Sequence, residues 1–241
     1  MLIHLINPNT TQRMTDAIAE AARAIASPGT QIIATQPDMG PASIEGYYDE
    51  AYAVPGMLAR IAATKADAHV IACFDDTGLD AARCVASAPV LGIGEAAFHA
   101  ASMVAGKFTV ITTLGRSIPA IEHNLHRFGL ASRCAKVRAC EIAVLALDDP
   151  ASDASARISA EIAAALTEDR AEAIVLGCAG MAALAARLSA QHGVPVVDGV
   201  AAAVAFAEGL VRLGLKTSKI GGYAPPLPKT YTGSFAAFAP N

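Results

Sequence analysis

The chain begins with a short apolar run, a polar turn and a segment whose apolar residues recur every three or four positions. Leu2–Ile6 is the apolar run, and Asn7–Thr11 is the polar turn. The apolar residues that follow at helical spacing are Met14, Ile18, Ala22 and Ile25. A continuous apolar run bounded by turn residues is typical of a buried strand, whereas a spacing of three to four residues is typical of a helix. The N-terminus is therefore predicted to fold as strand, turn and helix.

The same order of segments returns 105 residues later. Phe108–Ile111 is again an apolar run, residues 112–117 form a polar turn, and apolar residues at helical spacing follow. Each half continues with a strand that ends in cysteine, an alanine-rich helix and a short strand opened by proline. The helices are predicted at Leu79–Ala86 and Met181–Ala190, and the short strands at Pro89–Gly92 and Pro195–Asp198. The chain is therefore predicted to be an internal duplication.

Strands that are apolar throughout and alternate with helices indicate a parallel sheet covered on both faces. We therefore predict an α/β fold of two pseudosymmetric, doubly wound parallel-sheet lobes, with the active site in the cleft between them. The first lobe is placed at residues 1–100 together with a C-terminal tail at residues 206–241, and the second lobe at residues 101–205. Asp148–Arg157 is predicted to be an exposed connection, and Gly214–Gly233 an irregular tail able to wrap back over a lobe.

Cysteine ends the corresponding strand in both halves. Residues 65–73 and 170–178 share a basic residue, an acidic residue, alanines and an apolar run, and they end in Cys73 and Cys178. A single cysteine at the end of an apolar strand is usually a small buried hydrophobic residue. In parallel sheets, however, ligands bind beyond the carboxyl ends of the strands, and both halves keep a thiol there although their flanks differ. We therefore predict catalytic roles for this pair. The cysteines without counterparts at this spacing are assigned to the core or the surface: Cys84, Cys134 and Cys140.

Two opposed thiols can invert a carbon atom that carries an acidic proton. One thiolate removes the proton beside a carbonyl, and a thiol on the other face returns a proton to the planar carbanion, so no cofactor is required. A thiol with the ordinary pKa of about 8.5 is mostly protonated at neutral pH, so one cysteine has to be stabilised as thiolate. We expect helix N-termini directly after Cys73 and Cys178 to provide this stabilisation. Backbone N–H groups of Ala179 and Gly180 are candidates for binding the enolate oxygen, although tight packing explains their small size equally well.

Polar residues at the ends of equivalent strands are further candidates for substrate binding. Asn9, Thr10 and Thr113 are neutral hydrogen-bonding residues that suit an uncharged polar ring. Helix capping is the alternative explanation for them, because these residue types also satisfy free N–H groups at the start of a helix.

Two aspartates, Asp75 and Asp76, follow the first cysteine behind Phe74. One aspartate is predicted to cap the helix that follows, and the other to accept a hydrogen bond from a substrate N–H group. Phe74 and Asp75 are therefore included among the substrate-binding candidates. A carboxylate close to the sulfur would raise the pKa of Cys73, so we expect it to point away.

Composition and charge argue against several classes of partner. A formal net charge of −4 and a pI near 5.8 disfavour nucleic acid or an anionic membrane, so a small molecule is the expected partner. The N-terminal residues do not match a secretory signal, and no apolar run reaches the roughly 18 residues of a membrane span. Five cysteines without a CxxC pair indicate a reduced, cytoplasmic protein.

Two further motifs have ordinary explanations. Gly92–Ala97 matches the glycine pattern of dinucleotide-binding loops, but it lies late in its half and no acidic residue follows about 20 positions on. His123 and His126 are able to share a helix face, and a solvated pair is a simpler interpretation than a metal site. Neither a nicotinamide cofactor nor a metal is therefore expected.

Several segments together resemble the aspartate/glutamate/hydantoin racemase superfamily, and specifically its hydantoin racemase branch. They extend over the whole chain in the family's order: Ile6–Thr11, Cys73–Asp80, Gly92–Ala97, Leu176–Met181 and Ala224–Lys229. The resemblance implies a two-lobed pseudosymmetric fold, no cofactor and a homo-oligomer. It also implies that Cys73 and Cys178, which match the family's two catalytic positions, act as acid and base on a 5-substituted hydantoin or on the related ring of allantoin.

The residues around the first cysteine distinguish this chain from other branches of the superfamily. In the amino-acid racemases Asn-Thr commonly follows the first cysteine, so Phe74 and Asp75 disfavour free aspartate or glutamate as substrate. The related arylmalonate decarboxylases keep only the second cysteine, so Cys73 disfavours decarboxylation. Two alternatives stay open at this point: an amino-acid racemase or maleate-type isomerase, and a non-catalytic small-molecule binding protein.

Overall fold

The computed structural model describes residues 1–148 and 152–240, which form two sheets of four parallel strands each. The strands of the first sheet are β1 (Leu2–Ile6), β2 (Gln31–Thr35), β3 (Ala68–Ile71) and β4 (Val90–Gly92), and those of the second are β5 (Phe108–Thr112), β6 (Cys134–Ala139), β7 (Ala173–Gly177) and β8 (Val196–Asp198). The order is β2-β1-β3-β4 in the first sheet and β6-β5-β7-β8 in the second. The two sheets therefore repeat one topology, as the internal duplication predicts.

The helices also correspond one to one between the two halves. In the first half they are α1 (Gln12–Ile25), α2 (Tyr47–Ala63), α3 (Leu79–Val85) and α4 (Ile93–Val104), and in the second half α5 (Ile118–Arg127), α6 (Ala154–Glu168), α7 (Ala185–His192) and α8 (Gly199–Arg212). In the order of elements along the chain, each of the eight described strands is followed by a helix or a 3₁₀ segment, and all strand pairs are parallel. The predicted fold class, two pseudosymmetric α/β lobes with parallel sheets, is confirmed.

Two predicted segments differ from the structure in detail. The second alanine-rich helix was expected from Met181, but Ala179–Leu184 is wound as a 3₁₀ helix and the α-helix begins only at Ala185. The tighter winding starts with a hydrogen bond from Met181 N–H to the carbonyl of Cys178 (3.0 Å). Of the predicted connection Asp148–Arg157, residues 149–151 lie outside the described residues, and its last four residues already form the first turn of α6.

The two sheets share one hydrophobic core, in which α4 and α8 pack against each other. Helix α4 contacts β7 of the second sheet, and α8 contacts β3 of the first. Phe98 of α4 lies at the centre, where its ring stacks on Phe108 and meets Phe74 edge to face. The lobe boundaries at residues 100/101 and 205/206 stay a prediction, because the core that α4 and α8 build belongs to both sheets.

The chain after α8 runs back over the first lobe. Gly214 turns the chain with a positive φ of 69°, and Thr217 then bonds through its N–H and its hydroxyl to the carbonyls of Ser87 and Ala88. Beyond Tyr223 the tail is exposed and contains one 3₁₀ segment, Gly233–Phe238. Among the described residues, no helix is both long and apolar enough to cross a membrane.

Candidate active site

Both predicted catalytic cysteines line one cavity at the carboxyl ends of the two sheets. Cys73 lies two residues beyond the end of β3, and Cys178 lies directly after β7. Seven of the predicted site residues line this cavity, four from the first lobe and three from the second: Asn9, Cys73, Phe74 and Asp75, and Thr113, Cys178 and Ala179. Because parallel strands of each sheet end at the same edge, residues far apart in sequence meet here.

Two predicted site residues do not line the cavity. Both the N–H and the hydroxyl of Thr10 donate to the carbonyl of Pro41, at 3.0 and 3.3 Å, so this side chain fixes the loop after β2 and does not face a ligand. Gly180 belongs to the 3₁₀ turn after Cys178, and a Cβ at this position would lie 3.0 Å from Leu147 and 3.8 Å from the cysteine sulfur. Its small size therefore matches the packing explanation.

Asn9 lines the cavity, but much of its hydrogen-bonding capacity is used within its own turn. Its side-chain oxygen accepts from the side chain of Asn7 and from the N–H of Thr11, both at 2.9 Å. Its amide nitrogen donates to the sulfur of Met14 at 3.6 Å. A thioether is a weak acceptor, so the amide N–H group is the part of Asn9 best able to turn to a polar ligand.

Phe74 contributes more to the core than to the cavity wall. Its side chain is buried and contacts Phe98 edge to face with the ring centroids 5.3 Å apart. An aromatic pair of this geometry anchors the segment after Cys73 to the shared core. The position of the first sulfur is therefore tied to helix α4.

Asp76 caps a helix, but not the helix that follows it in sequence. Its two carboxylate oxygens accept hydrogen bonds from the N–H groups of Gly94 and Glu95, at 2.9 and 2.8 Å, so it caps α4. The expected cap of α3 is wrong, because Gly78 occupies the N-cap position of α3 and makes no side-chain bond. Asp76 has φ +52°, a left-handed conformation that turns its side chain toward α4 and away from Cys73.

The glycine pattern near α4 leaves room for this aspartate. A Cβ on Gly92 would lie 2.0 Å from a carboxylate oxygen of Asp76, and a Cβ on Gly94 would lie 2.3 Å from the carbonyl of Phe74. The resemblance to a dinucleotide-binding loop therefore has a local cause, close packing of the loop after β3 on the start of α4.

The surroundings of Cys73 keep its thiol protonated. Burial raises its pKa well above the usual range, and the negative charge of Asp75 raises it further. The hydroxyl of Thr77, which donates to the sulfur at 3.3 Å, acts in the opposite direction. The expectation that a carboxylate avoids the sulfur holds for Asp76 but not for Asp75.

The helix N-terminus expected after each cysteine is found only beside Cys178. This residue directly precedes the 3₁₀ segment Ala179–Leu184, so the N–H groups of Ala179 and Gly180 are at the start of a helical turn. Cys73 is followed by an irregular turn, and α3 starts at Leu79. The first thiol therefore has no helix N-terminus directly behind it.

A second cavity of about 250 Å³ adjoins the site and shares Asp75 with it. It lies between α2, α3 and α5, and Glu50 of α2 contributes a second carboxylate. Burial, together with the negative charge of Glu50, raises the pKa of Asp75 to about 7. Oxygen Oε1 of Glu50 is buried without a hydrogen-bond partner among the described residues, and burial raises the pKa of this residue also. The two carboxyl groups are therefore able to hold a proton close to Cys73.

Strand β7, which leads to Cys178, approaches the neighbouring strand β5 very closely. A Cβ on Gly177 would lie 3.0 Å from both the carbonyl oxygen of Ile111 and the Cα of Thr112. The hydroxyl of Thr112 donates to the carbonyl of Gly177 at 3.2 Å. Glycine is thus required here for β5 and β7 to bring Thr113 and Cys178 into one cavity.

A loop of the first lobe closes the cavity against the second lobe. Ile44 lines the cavity, and the carboxylate of Glu45 accepts a hydrogen bond from the N–H of Val144 at 3.0 Å. Gly46 then turns the chain into α2 with φ +135°. The cavity measures about 40 Å³, much less than the roughly 300–1,000 Å³ of a typical ligand pocket, so a ring-sized ligand needs this loop or the two lobes to move.

The predicted histidine pair does not act as one group. His123 lines the second cavity, whereas His126 lies in a separate surface depression beside β6. Within residues 1–148 and 152–240, no cluster of three or more His, Cys, Asp or Glu side chains could hold a metal ion.

Several residues of the site were missed by the sequence analysis. Val144 and Ser117 line the cysteine cavity, and Glu50 lines the cavity beside it. Ser117 lies in a polar turn after β5, so its position at a strand end was a usable signal. Glu50 carries no such signal, because an acidic residue in the first turn of a helix is common at any helix start.

Comparisons with known proteins agree with this geometry. The sequence model of the Asp/Glu/Hydantoin racemase family matches residues 3–207. A hydantoin racemase of Rhizobium meliloti is 50% identical over 236 residues, which cover 97% of this chain and 98% of that protein. Among solved structures, an allantoin racemase from Klebsiella pneumoniae is 48% identical with a TM-score of 0.97 and full coverage of both chains. An allantoin racemase from Pseudomonas fluorescens is 44% identical with a TM-score of 0.93, covering 97% of this chain and 100% of that one.

Proposed function

The chain belongs to the Asp/Glu/hydantoin racemase family, and on this premise we propose that it racemises hydantoin-type rings, including that of allantoin, at C5. One observation carries the proposal: equivalent thiols from the two lobes, Cys73 and Cys178, line the same cavity. The hydantoin racemase and allantoin racemases among the relatives support this substrate class.

In the proposed reaction the two thiols act on opposite faces of the ring. A thiolate takes the C5 proton, and the electron pair of the broken C–H bond moves into the adjacent carbonyl to form an enolate. The thiol on the other face then donates its proton to C5, and the carbonyl is restored. One thiolate and one thiol are present before and after the step, with their positions exchanged, so the reaction balances without a cofactor.

The unequal surroundings of the thiols support an assignment of their starting roles. Burial and the charge of Asp75 raise the pKa of Cys73, so this residue starts as the proton donor. Cys178 starts as the base, and the N–H groups of Ala179 and Gly180 stabilise negative charge at the start of the 3₁₀ segment. After one turnover the thiols have exchanged roles, and the carboxyl of Asp75, with a pKa of about 7, is able to exchange a proton with Cys73.

Polar groups around the cavity are suited to an uncharged ring. We assign the amide of Asn9 and the hydroxyl of Thr113 to the ring carbonyls, and a carboxylate oxygen of Asp75 to a ring N–H. The backbone N–H of Ala179, which lines the cavity, binds the enolate oxygen, the position where negative charge develops.

Single serine variants of the two cysteines test the mechanism. Cys73→Ser and Cys178→Ser are each expected to lower racemisation of one hydantoin enantiomer at least about 100-fold, because serine is far less acidic than cysteine. Cys84→Ser is the matched control, since Cys84 lies on α3 and contacts the carbonyl of Gly222 in the tail. Loss of optical rotation measures racemisation, and deuterium from the solvent should enter C5. Near wild-type racemisation by either active-site variant contradicts the assignment.

A substrate screen separates this function from its alternatives. Racemisation of aspartate or glutamate, or isomerisation of maleate, in the absence of any activity on hydantoin rings would identify one of the other enzymes. Binding of a hydantoin without turnover, together with iodoacetamide reactivity typical of ordinary thiols, would identify a binding protein. We further propose a cytoplasmic location and a small-molecule partner, in agreement with five cysteines that form no disulfide and with the net charge of −4.

A further inference from the structure

The last part of the chain forms an arm that does not pack on its own lobe. Before it, residues 215–223 are anchored to α3: the ammonium of Lys219 donates to the carbonyl of Arg83 at 2.5 Å, and the hydroxyl of Tyr223 donates to Asp80 at 3.0 Å. The guanidinium of Arg83 also lies over the ring of Tyr223 at 5.6 Å. After this anchor the contacts end. Among the described residues, no hydrogen bond or ion pair joins residues 225–240 to the rest of the chain.

The arm carries apolar side chains that are exposed to solvent. Leu227 is 74% exposed, Phe235 51% and Tyr231 39%. Lys229 is the only charged residue between Ala224 and Pro240. Apolar groups of this size gain free energy when they leave water, so an arm of this composition is suited to a protein surface and has little charge for nucleic acid or a lipid headgroup.

The arm also has a defined course. Pro225, Pro226 and Pro228 restrict its backbone to an extended form, which reduces the entropy lost when the arm binds. The Klebsiella pneumoniae allantoin racemase superposes over 100% of this chain with a TM-score of 0.97. Residues 224–240 are 17 of 241, so an arm that ran elsewhere would limit that score to about 0.93. An experimental structure of a relative that is only 48% identical therefore has the same arm in the same place.

We propose that the arm, residues 224–240, binds the surface of a second copy of this chain. An exposed arm that no described hydrogen bond or ion pair ties to its own lobe keeps one course in two proteins when something outside the lobe holds it. A second copy of the chain is the partner that every solution of such a protein contains. Each copy then gives one arm and receives one, as in subunit exchange of a terminal segment.

Photocrosslinking of the full chain tests where the arm binds. The photoreactive amino acid benzoylphenylalanine replaces Phe235 in one preparation and Met103 in a control preparation, since Met103 is 72% exposed on α4. The protein is irradiated after mixing with a size-tagged copy of the same chain. The position-235 preparation is expected to form covalent pairs of tagged and untagged chains, and the control is not. Products confined to single chains would overturn the proposal.

A second experiment measures what the arm contributes to association. Light scattering after gel filtration should give a mass that is a multiple of 24.6 kDa for the full chain. Two changes are tested separately: removal of residues 224–241, and the double variant Leu227→Asp, Phe235→Asp. Each should weaken self-association at least tenfold. Ile25→Asp, which places the same charge at an exposed apolar position of α1, should leave it unchanged. A full chain that is monomeric at micromolar concentration, or equal association with and without the arm, would overturn the proposal. Far-UV circular dichroism of the truncated chain checks that its lobes remain folded.

Discussion

Replacing Gly92 by alanine tests how the loop after Cys73 is held in place. An alanine Cβ would lie 2.0 Å from a carboxylate oxygen of Asp76 and 2.4 Å from its Cγ, so the aspartate has to move. When it moves, it loses its hydrogen bonds to the N–H groups of Gly94 and Glu95. A lost N-cap costs about 0.5–2 kcal/mol, and a buried N–H group left without a partner costs about 1–3 kcal/mol. We therefore expect Gly92→Ala to lower the free energy of unfolding by about 3 kcal/mol.

The effect of Gly92→Ala on the free energy of unfolding should have the opposite sign when Asp76 is absent. The three atoms nearest to the alanine Cβ all belong to Asp76, and glycine at position 76 accepts the φ of +52° without strain. In an Asp76→Gly background, Gly92→Ala should stabilise the protein by up to about 1 kcal/mol, because alanine restricts the unfolded chain and suits the φ of −91° at residue 92. The coupling between the two substitutions is then about 3 kcal/mol or more.

Urea unfolding of the four proteins of this cycle, followed by circular dichroism, measures the coupling. If the two substitutions add to within about 0.5 kcal/mol, the contact between Asp76 and α4 does not hold the loop and the reasoning is refuted. A second measurement connects the loop with function. Gly92→Ala moves the chain next to Cys73, so kcat is expected to fall more than 10-fold, whereas a merely less stable protein keeps its kcat well below its melting temperature.

Three other predictions concern charge and closure. His4 and His69 share a buried Nδ1–Nδ1 hydrogen bond of 3.0 Å, and burial lowers the pKa of each from 6.5 to about 4. Below pH 6.5 the unfolded chain therefore binds more protons than the folded chain. In urea titrations, the free energy of unfolding relative to a His4→Asn, His69→Asn variant should fall by about 2 kcal/mol per histidine between pH 7.5 and pH 5. A difference between the two proteins that does not change with pH would contradict this prediction. Arg138 bonds to three carboxylates, so Arg138→Met should lower the free energy of unfolding by about 2 kcal/mol in the same assay. An unchanged free energy of unfolding would mean that solvent screens these ion pairs. Glu45→Ala removes the hydrogen bond that closes the loop and should raise KM about fivefold. Glu45→Gln keeps an acceptor oxygen, so its KM should stay close to that of the unchanged protein. Equal KM values for the alanine variant and the unchanged protein would contradict a closing role.

The parts of the structure that sequence could predict are those that depend on pattern and duplication. Buried strands such as β1 and β5 are apolar throughout, and a repeat of 105 residues brings Cys73 and Cys178 to equivalent strand ends. Parallel topology then places both thiols at ligand-binding edges. Because these inferences use only periodicity and order, the fold class and the shared cavity of the cysteines followed from them.

The residues that could not be predicted depend on where a side chain points in the folded protein. Asp76 caps a helix that starts 17 residues later in sequence, and Thr10 bonds to Pro41 across a loop. His4 and His69 lie in strands whose pattern is otherwise apolar, and their mutual hydrogen bond, with a second bond between His4 and the hydroxyl of Thr35, explains why two imidazoles are tolerated in the core. In each case the side chain is of a type expected at a turn or a site, and its partner is distant in sequence. Residue type therefore indicated polar chemistry but not its target.

The divergence of the two copies after their cysteines follows from how each half caps its last helix. In the first half the cap of α4 is Asp76, three residues after Cys73, and Gly92 makes room for it. In the second half Asp198 stands at the position equivalent to Gly92, and its own carboxylate accepts from the N–H groups of Val200 and Ala201, which caps α8. The loop after Cys178 is thereby released from capping and can wind as a 3₁₀ turn of small residues. The two halves thus perform the same capping task from different places, with a carboxylate-rich loop beside one thiol and a 3₁₀ turn of small residues beside the other. In the mechanism that we propose, two lobes of one topology thus present chemically different surroundings to the two faces of a single carbon atom.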